Sequence, residues 1–498
     1  MPFALAWPHG IERALLATFL LIGGLGAALA LSSRELPLAI AGAIHALAGA
    51  LAIGAADLVT LLVSWELLTF SGYAVIRRGF APTRSLIRIA DAPVLWSPPA
   101  SAAAASSRAG FWYLAAQIAA AALFFVALSV HIAETGSPAI ATLVGPAQPF
   151  MFAAILIKTA MMPLHGWLVG SYTRAGYVGG FLLSAFATKV GVYAAARTVA
   201  FSPGGLPVLS LVGAIVAVVA VGFALAQHSA RRLLSFHIVS QVGYMLVGVG
   251  LVGSAAGVTA GLFHAVNHIV YKALLFLVVA LAADAVGHDD LRRMGGLARR
   301  MPLVFIAALV GAAAITGVPF TSGYASKELL KNAAGELQTV LLIAASVGTA
   351  LSFTKFIYLI FLRRPDDEPA DEPADREFVR PAPAATVALV VLSCLSILIG
   401  VLPALVPGVP AHDYYAASAI AWGVIPVILA MGLWFFFGRA LARGIGRAHR
   451  EPMLRTFLAR WSMSPLVTLR RAHRVDAQLA LGVAVAAALA LVLVVVLA

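Results

Sequence analysis

A single cysteine, Cys394, stands in a chain of 498 residues. One thiol forms no disulfide within the chain and cannot hold an iron–sulfur cluster, which takes about four thiolates. The GxxxxGKS phosphate loop is also missing, and no quinone or nicotinamide site is recognisable. We therefore expect no cofactor, no metal and no catalytic redox site in this chain. An ion gradient or another subunit must supply its energy.

Charge is scarce as well, because only 11% of the residues are charged whereas 61% are hydrophobic. A soluble core cannot hide so much apolar surface, and about 20 apolar residues cross a bilayer as one helix. The sequence predicts an all-α polytopic membrane protein. About fourteen apolar runs are predicted as transmembrane helices, approximately 11–31, 37–54, 56–76, 110–132, 148–169, 176–200, 205–226, 232–253, 257–284, 303–322, 336–362, 383–404, 414–437 and 476–498.

The net charge of +13 comes from arginines that occupy alternate loops. One predicted face carries Arg34, Arg77, Arg78, Arg84, Arg88, Arg108, Arg174, Arg231, Arg232, Arg292, Arg293, Arg299, Arg300, Arg363, Arg364, Arg376, Arg380 and the arginines of 439–474. Only Arg13 and Arg197 fall on the other face. The positive-inside rule makes the arginine-rich face cytoplasmic, with both termini outside, in a bacterial cytoplasmic (inner) membrane. The first run lacks a cleavage site and is predicted to stay as a span. Topology explains the basic charge, so no nucleic-acid partner is expected.

All six lysines lie in or beside apolar segments: Lys158, Lys189, Lys272, Lys327, Lys331 and Lys355. A lysine near the bilayer centre costs about 2.5–3.5 kcal/mol, so several of them indicate partners or water. Lysine also changes its pKa on burial more readily than arginine, which suits proton movement. The alternative, open above all for Lys331 and Lys355, is that the amine reaches the membrane interface.

Two apolar runs of the first half carry buried charge. Glu66 lies centrally in LLVSWELLTFSGY, where a lone carboxylate must be neutral or paired. Lys158, in AAILIKTAMMPLHGW, precedes Pro163, and a proline at this depth frees carbonyls that need a protein or water-filled surrounding. An ordinary proline kink is the alternative. Lys189 follows on the next run, in SAFATKVGVYAAAR.

The second half carries a polar stripe. His264, His268 and Lys272 are spaced four apart in GLFHAVNHIVYKALLF and so share one helix face. Such side chains can pass protons through water, since histidine titrates near neutrality. A histidine satisfied inside the core is the alternative. A zinc site is disfavoured because HExxH and nearby cysteines or carboxylates are absent.

A second interrupted run, ITGVPFTSGYASKELL, places Pro319 and Gly323 at a predicted break before Lys327 and Glu328. Two proline-broken helices at corresponding positions of two halves are typical of inverted repeats with a transport path near the midplane. The sequence therefore predicts two inverted repeats, each with a broken helix.

Together these segments resemble the antiporter-like membrane subunits of respiratory complex I (chains L, M and N), Mrp-type cation/proton antiporters (subunits A and D), membrane-bound hydrogenases and inorganic-carbon uptake pumps. The resemblance runs roughly from the second helix to residue 362. It implies a proton pathway in which Glu66 pairs with Lys158, Lys189 follows, His264, His268 and Lys272 form the central relay, and Lys327 is the terminal gate beside Glu328. The matching SARRLLSFHIVSQVGYM and MGGL segments are interpreted as structural.

The chain departs from the family pattern at two places. Gly170 and GSYTRAGY stand where the family usually has an aspartate and a PTP-like turn. The chain also begins about two helices late, so these helices are expected to be absent, supplied by a partner or lost to a late start assignment. The predicted organisation is N-terminal helices 1–55, first antiporter-like half 56–200, second half 205–362, acidic cytoplasmic loop 363–382, two helices in 383–437, a basic segment 438–475 forming a lateral helix or a charged loop, and a last span 476–498.

This pattern predicts a proton-translocating subunit of a multi-subunit membrane complex of the NADH-quinone oxidoreductase-like, redox-driven type. The expected partners are other membrane subunits, with redox subunits among them, the lipid bilayer and protons. An Mrp-type Na⁺/H⁺ antiporter subunit, which adds Na⁺, is the first alternative. An inorganic-carbon uptake subunit and a non-conducting membrane scaffold are the others.

Overall fold

The computed structural model describes residues 4–78, 83–89, 92–96, 100–200, 207–251, 253–363 and 378–448. Most of these residues are helical. The helices are α1 Ile11–Ser32, α2 Leu36–Gly54, α3 Leu58–Arg78, α4 Ala100–Thr135, α5 Ala147–Lys158, α6 Gly166–Tyr172, α7 Gly176–Leu183, α8 Ala187–Thr198, α9 Pro207–Leu225, α10 Ala230–Val249, α11 Ala255–Val286, α12 Leu297–Arg300, α13 Pro302–Thr316, α14 Ser322–Ala333, α15 Glu336–Ile357, α16 Pro383–Val401 and α17 Ala417–Ala448. A π-helical turn, Tyr358–Leu362, continues α15, and a 3-10 turn, Pro403–Leu405, follows α16.

Within the described residues, 11 helical segments are long and apolar enough to cross a membrane. The two shorter apolar helices, Ala147–Lys158 and Pro302–Thr316, are parts of interrupted spans. Thirteen of the fourteen predicted runs thus have a counterpart, and the prediction of an all-α polytopic membrane protein is confirmed. The chain is an integral membrane protein. The predicted span 476–498, the basic segment beyond residue 448 and most of the acidic loop, 364–377, lie outside the described residues.

Two spans are interrupted where prolines were predicted to break them. Pro163 lies between α5 and α6, and Pro319 lies between α13 and α14. The prediction that Gly323 also breaks a helix is wrong, because Gly323 lies inside α14. A side-chain carbon at Gly323 would come within 1.9 Å of the Ala314 carbonyl oxygen, so this glycine lets α14 pack closely on α13. The break itself starts at Gly317, whose φ of 89° ends α13 in the left-handed region.

A third interruption was not predicted. The run 176–200 was expected to be one helix, but α7 ends at Leu183 and α8 begins at Ala187. The residues between them are Ser, Ala and Phe, so no proline or glycine signals the interruption. Residues 178–196 of this span are all buried within the molecule, where neighbouring helices hold such a break.

The two proline-broken helices enter the bundle from opposite ends. The chain just before α5 is bonded to the end of α8, through Leu143 and Thr198. The chain before α13 is bonded instead to Arg363, through Gly296. The long helix α11 starts at the end of the bundle where α8 finishes, since Gly253, just before α11, bonds to Ala200, just after α8. The chain before α13 follows the other end of α11, so α11 separates the two points of entry. Opposite directions of entry are the arrangement that inverted repeats produce.

A small antiparallel sheet lies at the arginine-rich end, and the sequence did not predict it. Its strands are β1 Thr83–Ile89, β2 Ala92–Trp96 and β3 Val379–Pro381, in the order β2-β1-β3. The backbone N–H of Leu86 donates to the carboxylate of Asp284, near the end of α11, over 2.9 Å. The sheet therefore ties two distant loops of this end to the central helix.

Candidate functional site

The predicted polar stripe lies at the centre of the molecule, on α11. His264, His268 and Lys272 are each 0% exposed. Their spacing of four residues places them one above the other on the same helix face. Burying polar groups in an apolar helix costs free energy, so such groups are expected either to form hydrogen bonds or to have a function.

His264 is held by two neighbouring helices. Its Nδ1 lies 2.9 Å from the Ser326 hydroxyl on α14, and its Nε2 lies 3.0 Å from the Gln241 side-chain oxygen on α10. The Tyr271 hydroxyl donates to the same Gln241 oxygen over 3.2 Å. His264 therefore joins the central helix directly to the second broken helix.

His268 and Lys272 stand out because their polar atoms have no hydrogen-bond partner among the described residues. Both ring nitrogens of His268 and the amine of Lys272 are buried and unbonded. The ring of Tyr271 lies edge-on to His268 with centroids 5.4 Å apart. Buried groups of this kind are costly to a merely structural core. Their place one helical turn from a bonded histidine suits proton exchange.

Lys189 lies at the unpredicted interruption between α7 and α8. Its amine donates to the carbonyl of Ser184 over 2.5 Å and is fully buried. The broken helix leaves this carbonyl without its usual N–H donor, and the negative end of a helix dipole attracts a cation. Lys189 thus binds a helix end inside the bundle. A continuous helix would have no free carbonyl at this position.

Lys327 occupies the end of α13 in the same way. Its amine donates to the carbonyls of Ile315 over 2.8 Å and Thr316 over 3.2 Å, and it lies 5.0 Å from the centroid of the Tyr244 ring. The buried Lys189 and the half-buried Lys327 therefore bind the carbonyls that two interrupted helices expose. The same lysine lines a cleft with an empty volume of about 490 Å³.

Glu328 is beside Lys327 in sequence but does not bind it. Its carboxylate pairs with Lys331 at 2.7 Å and accepts a hydrogen bond from Asn332 over 3.1 Å. Asn332 in turn lies 3.1 Å from a ring nitrogen of His412. Lys331, for which an interfacial position was left open, is thus half of an ion pair one turn from the predicted gate.

The predicted pairing of Glu66 with Lys158 is not a direct salt bridge in this structure, although the two charges interact electrostatically. Among the described side chains no carboxylate lies within 4.0 Å of the Lys158 amine. This amine lies 3.5 Å from the Trp65 carbonyl oxygen and 4.5 Å from the centre of the Trp65 ring. Glu66 is half-buried, with one carboxylate oxygen unbonded. The reason is geometric, because neighbouring residues of a helix point about 100° apart and Lys158 approaches the side of α3 that carries Trp65.

Further candidate residues lie on α10, and the sequence analysis did not single them out. His237 bonds to the Ser352 hydroxyl at 2.8 Å through Nε2, and its Nδ1 is buried without a partner. Gln241 binds His264, and Tyr244 lies below Lys327. The segment was interpreted as structural. The spacing of His237, Gln241 and Tyr244 could have indicated that they lie together, since residues at i, i+4 and i+7 share one helix face.

Lys355 proves to be a structural residue. Its amine donates to the carbonyls of Leu225 over 2.8 Å and Gln227 over 2.7 Å, at the end of α9. The side chain is only 3% exposed, so the amine is held by these carbonyls inside the molecule. A lysine that caps an ordinary helix end needs no role in transport.

The family described as "NADH:quinone oxidoreductase/Mrp antiporter, TM" matches residues 99–352, half of the chain. The chain belongs to this family. The match includes the first broken helix, the α7–α8 interruption, the α11 stripe and the second broken helix. The predicted resemblance is confirmed.

Individual relatives agree with the family. NADH-ubiquinone oxidoreductase chain 5 of Acanthamoeba castellanii is 32% identical over 44% of this chain and 33% of its own length. NADH-quinone oxidoreductase subunit L of Escherichia coli (strain K12) is 30% identical over 60% of this chain and 50% of its own length. The matches thus span between a third and a half of these two relatives. A chain in the structure of the Mrp complex from Dietzia sp. DQ12-45-1b has the same fold, with a TM-score of 0.67 and 22% identity over 88% of both chains.

Proposed function

We propose that this chain is a proton-translocating membrane subunit of a multi-subunit complex of the redox-driven, NADH-quinone oxidoreductase-like type. One observation carries the proposal: His268 and Lys272, at the centre of the bundle, are buried with no hydrogen-bond partner in the part of the chain that the structure describes. A scaffold gains nothing from such groups, whereas a proton relay needs groups that are free to change protonation.

The pathway in this proposal follows the buried cations through the bundle. Lys158 lies at the end of α5, Lys189 at the start of α8 and the α11 stripe at the centre. Lys327 lies on α14, with its amine at the end of α13. Each of the three interrupted spans contributes one lysine. A change in the charge at one interruption alters the electrostatic field at the next, and a proton can then move between them.

The remaining elements of the proposal are the partners, the orientation and the driver. The subunit assembles with other membrane subunits, and redox subunits supply the energy. It lies in a bacterial inner membrane with its arginine-rich loops on the cytoplasmic face and its N-terminus outside. The relatives named as subunits of NADH-quinone and NADH-ubiquinone oxidoreductases support this reading.

A second candidate function keeps the pathway and changes the driver. The solved Mrp complex contains a chain of this fold, matched over 88% of both chains. An Mrp-type antiporter subunit exchanges Na⁺ for H⁺ with no redox partner. Sodium-dependent pH changes in vesicles without a respiratory substrate support this second candidate and contradict redox coupling.

The proposal is tested by affinity purification from native membranes followed by proton-uptake measurements on vesicles. We expect redox subunits to co-purify, and Lys272→Met to reduce coupled proton uptake at least tenfold with normal assembly. Thr349→Val is the matched control, because this buried hydroxyl bonds only within its own helix. Full proton uptake by Lys272→Met in an assembled complex contradicts proton translocation through this chain and supports the scaffold alternative.

A further inference from the structure

A second cluster of buried polar groups lies beside the first half of the pathway. His45 stands at the middle of α2 and is fully buried, and its Nδ1 lies 2.8 Å from the Ser71 hydroxyl on α3. Its other ring nitrogen, Nε2, is buried without a protein partner. Neither residue belongs to the pathway that the sequence predicted.

The hydrogen bonds of Ser71 indicate the protonation of His45. The single hydroxyl hydrogen of Ser71 is directed to the Leu67 carbonyl, 2.5 Å away. Ser71 must therefore accept the N–H of His45 Nδ1, and in a neutral imidazole the other nitrogen then carries a lone pair. His45 thus presents an unbonded basic nitrogen inside the bundle.

Gly72 brings a third group to this histidine. A side-chain carbon at position 72 would lie 2.3 Å from the Tyr113 hydroxyl oxygen and 3.2 Å from Cε1 of the His45 ring. The two side chains therefore meet over the bare backbone of Gly72. The Tyr113 hydroxyl also donates to the Leu68 carbonyl over 3.3 Å.

The cluster continues to Lys158 along one side of α3. The amine of Lys158 lies 3.5 Å from the Trp65 carbonyl oxygen, one helical turn before the Leu68 carbonyl that binds Tyr113. Trp65, Leu68 and Gly72 are three and four residues apart and so share a face. Lys158, Tyr113 and His45 thus follow one another along this face, in the direction of the arginines that end α3.

We propose that His45 and Tyr113 form a proton-conducting branch that connects Lys158 with the arginine-rich end of the molecule. A proton enters at Nε2 of His45 and passes through water to the Tyr113 oxygen, while the Tyr113 hydroxyl turns from the Leu68 carbonyl and releases its own hydrogen through water to the neutral amine of Lys158. Tyr113 ends unchanged, and the proton has moved from the imidazole to the lysine. This inference rests on the proposed proton-translocating function.

Three variants of the full chain in its native complex test the branch by proton uptake into vesicles. His45→Asn keeps an amide near Ser71 but removes the titrating ring, and Tyr113→Phe removes only the hydroxyl. Gly72→Ala adds a methyl group between the two without changing a titratable group. We expect each variant to reduce proton uptake at least tenfold while the complex assembles normally.

Two matched controls separate conduction from packing. Ser64→Ala removes a buried hydroxyl of α3 that bonds only its own helix, and Gly24→Ala adds a methyl group where nothing lies within 4 Å. Both are expected to keep normal uptake. If a variant at His45 or Gly72 fails to assemble, Tyr113→Phe, which changes one oxygen atom, decides the result.

Lys158→Met and Lys272→Met in the same assay separate the branch from the proposed function. Loss of uptake in both lysine variants, together with normal uptake in His45→Asn and Tyr113→Phe, overturns the branch alone. Normal uptake in both lysine variants overturns the proposed function, and the branch with it.

Discussion

At the scale of single residues, the buried lysines divide by what their amines bind. Lys189, Lys327 and Lys355 each donate to carbonyls at a helix end, where the backbone lacks its own donors. Lys272 binds no protein atom. The first three stabilise the structure through charged hydrogen bonds, whereas Lys272 has only a desolvation cost in the static structure.

This difference predicts opposite effects on stability. Lys355→Met should lower the free energy of unfolding by about 1–3 kcal/mol, because two carbonyls of α9 lose their donor. Lys272→Met should leave stability unchanged or raise it, because a buried amine without a bond is replaced by an apolar group of similar volume. Thermal unfolding in detergent measures both. A larger loss in Lys272→Met than in Lys355→Met would contradict the assignment.

A second residue-level prediction concerns pH. Burial by itself would raise the pKa of Asp289, but the Arg231 guanidinium and hydrogen bonds from Ser229 and Arg231 outweigh it and hold the pKa below its usual range. A lowered pKa in the folded state stabilises the fold above the ordinary aspartate pKa, and this stabilisation is lost as pH falls through the folded-state value. Asp289→Asn should therefore lower the free energy of unfolding by about 1–2 kcal/mol at pH 7.

The same difference should vanish in acid. Unfolding of the original chain and of Asp289→Asn is compared from neutral pH down through about pH 3 to still lower pH, because the folded-state pKa lies below the ordinary aspartate pKa of about 3.9. The two curves should converge as the carboxylate becomes protonated. A stability difference that is independent of pH would mean that Asp289 stabilises the fold through its packing and not through its charge.

At the scale of elements, three interrupted spans create the site. A continuous helix satisfies its own carbonyls and offers a lysine nothing to bind in the bilayer. Interruption after Leu183 and Thr316 exposes the carbonyls that bind Lys189 and Lys327. The prolines of two interruptions were visible in the sequence, but the third has only Ser, Ala and Phe and depends on the helices packed around it.

Close packing of the second broken helix predicts a sensitive glycine. Gly323→Ala places a methyl group 1.9 Å from the Ala314 carbonyl oxygen, so α14 must move away from α13. We expect the free energy of unfolding to fall by about 1–3 kcal/mol, as at other overpacked sites. We also expect weaker hydrogen bonds from Lys327 to the end of α13. Gly24→Ala, which meets nothing within 4 Å, should be neutral or stabilising. Equal effects of the two substitutions on thermal unfolding would contradict this packing.

At the scale of the whole molecule, the described loops separate into two ends. Arg363 donates to the carbonyl of Met294 at one end, whereas Arg197 lies 3.5 Å from the Glu12 carboxylate at the other. The contacts between loops agree with the alternation of arginines along the sequence. The end that carries most of the described arginines is expected to face the cytoplasm.

This orientation can be measured with single cysteines. In a Cys394→Ala background, Arg293→Cys should react with a membrane-impermeant maleimide only after cells are opened, and Glu134→Cys should react in intact cells. Both positions are exposed on the molecule. The reverse pattern would invert the proposed topology, including the side from which the His45 branch takes up protons.

Hydropathy and charge in the sequence were sufficient for the membrane class, the position of thirteen spans and two of the three interruptions, because these depend on local composition. The α11 stripe followed from a spacing of four, since helix geometry is regular. The partner of each cation was decided only in three dimensions. Lys158 lies against Trp65 instead of Glu66, Glu328 binds Lys331, and Gly72 brings Tyr113 to His45, because these contacts depend on how helices distant in sequence rotate and pack.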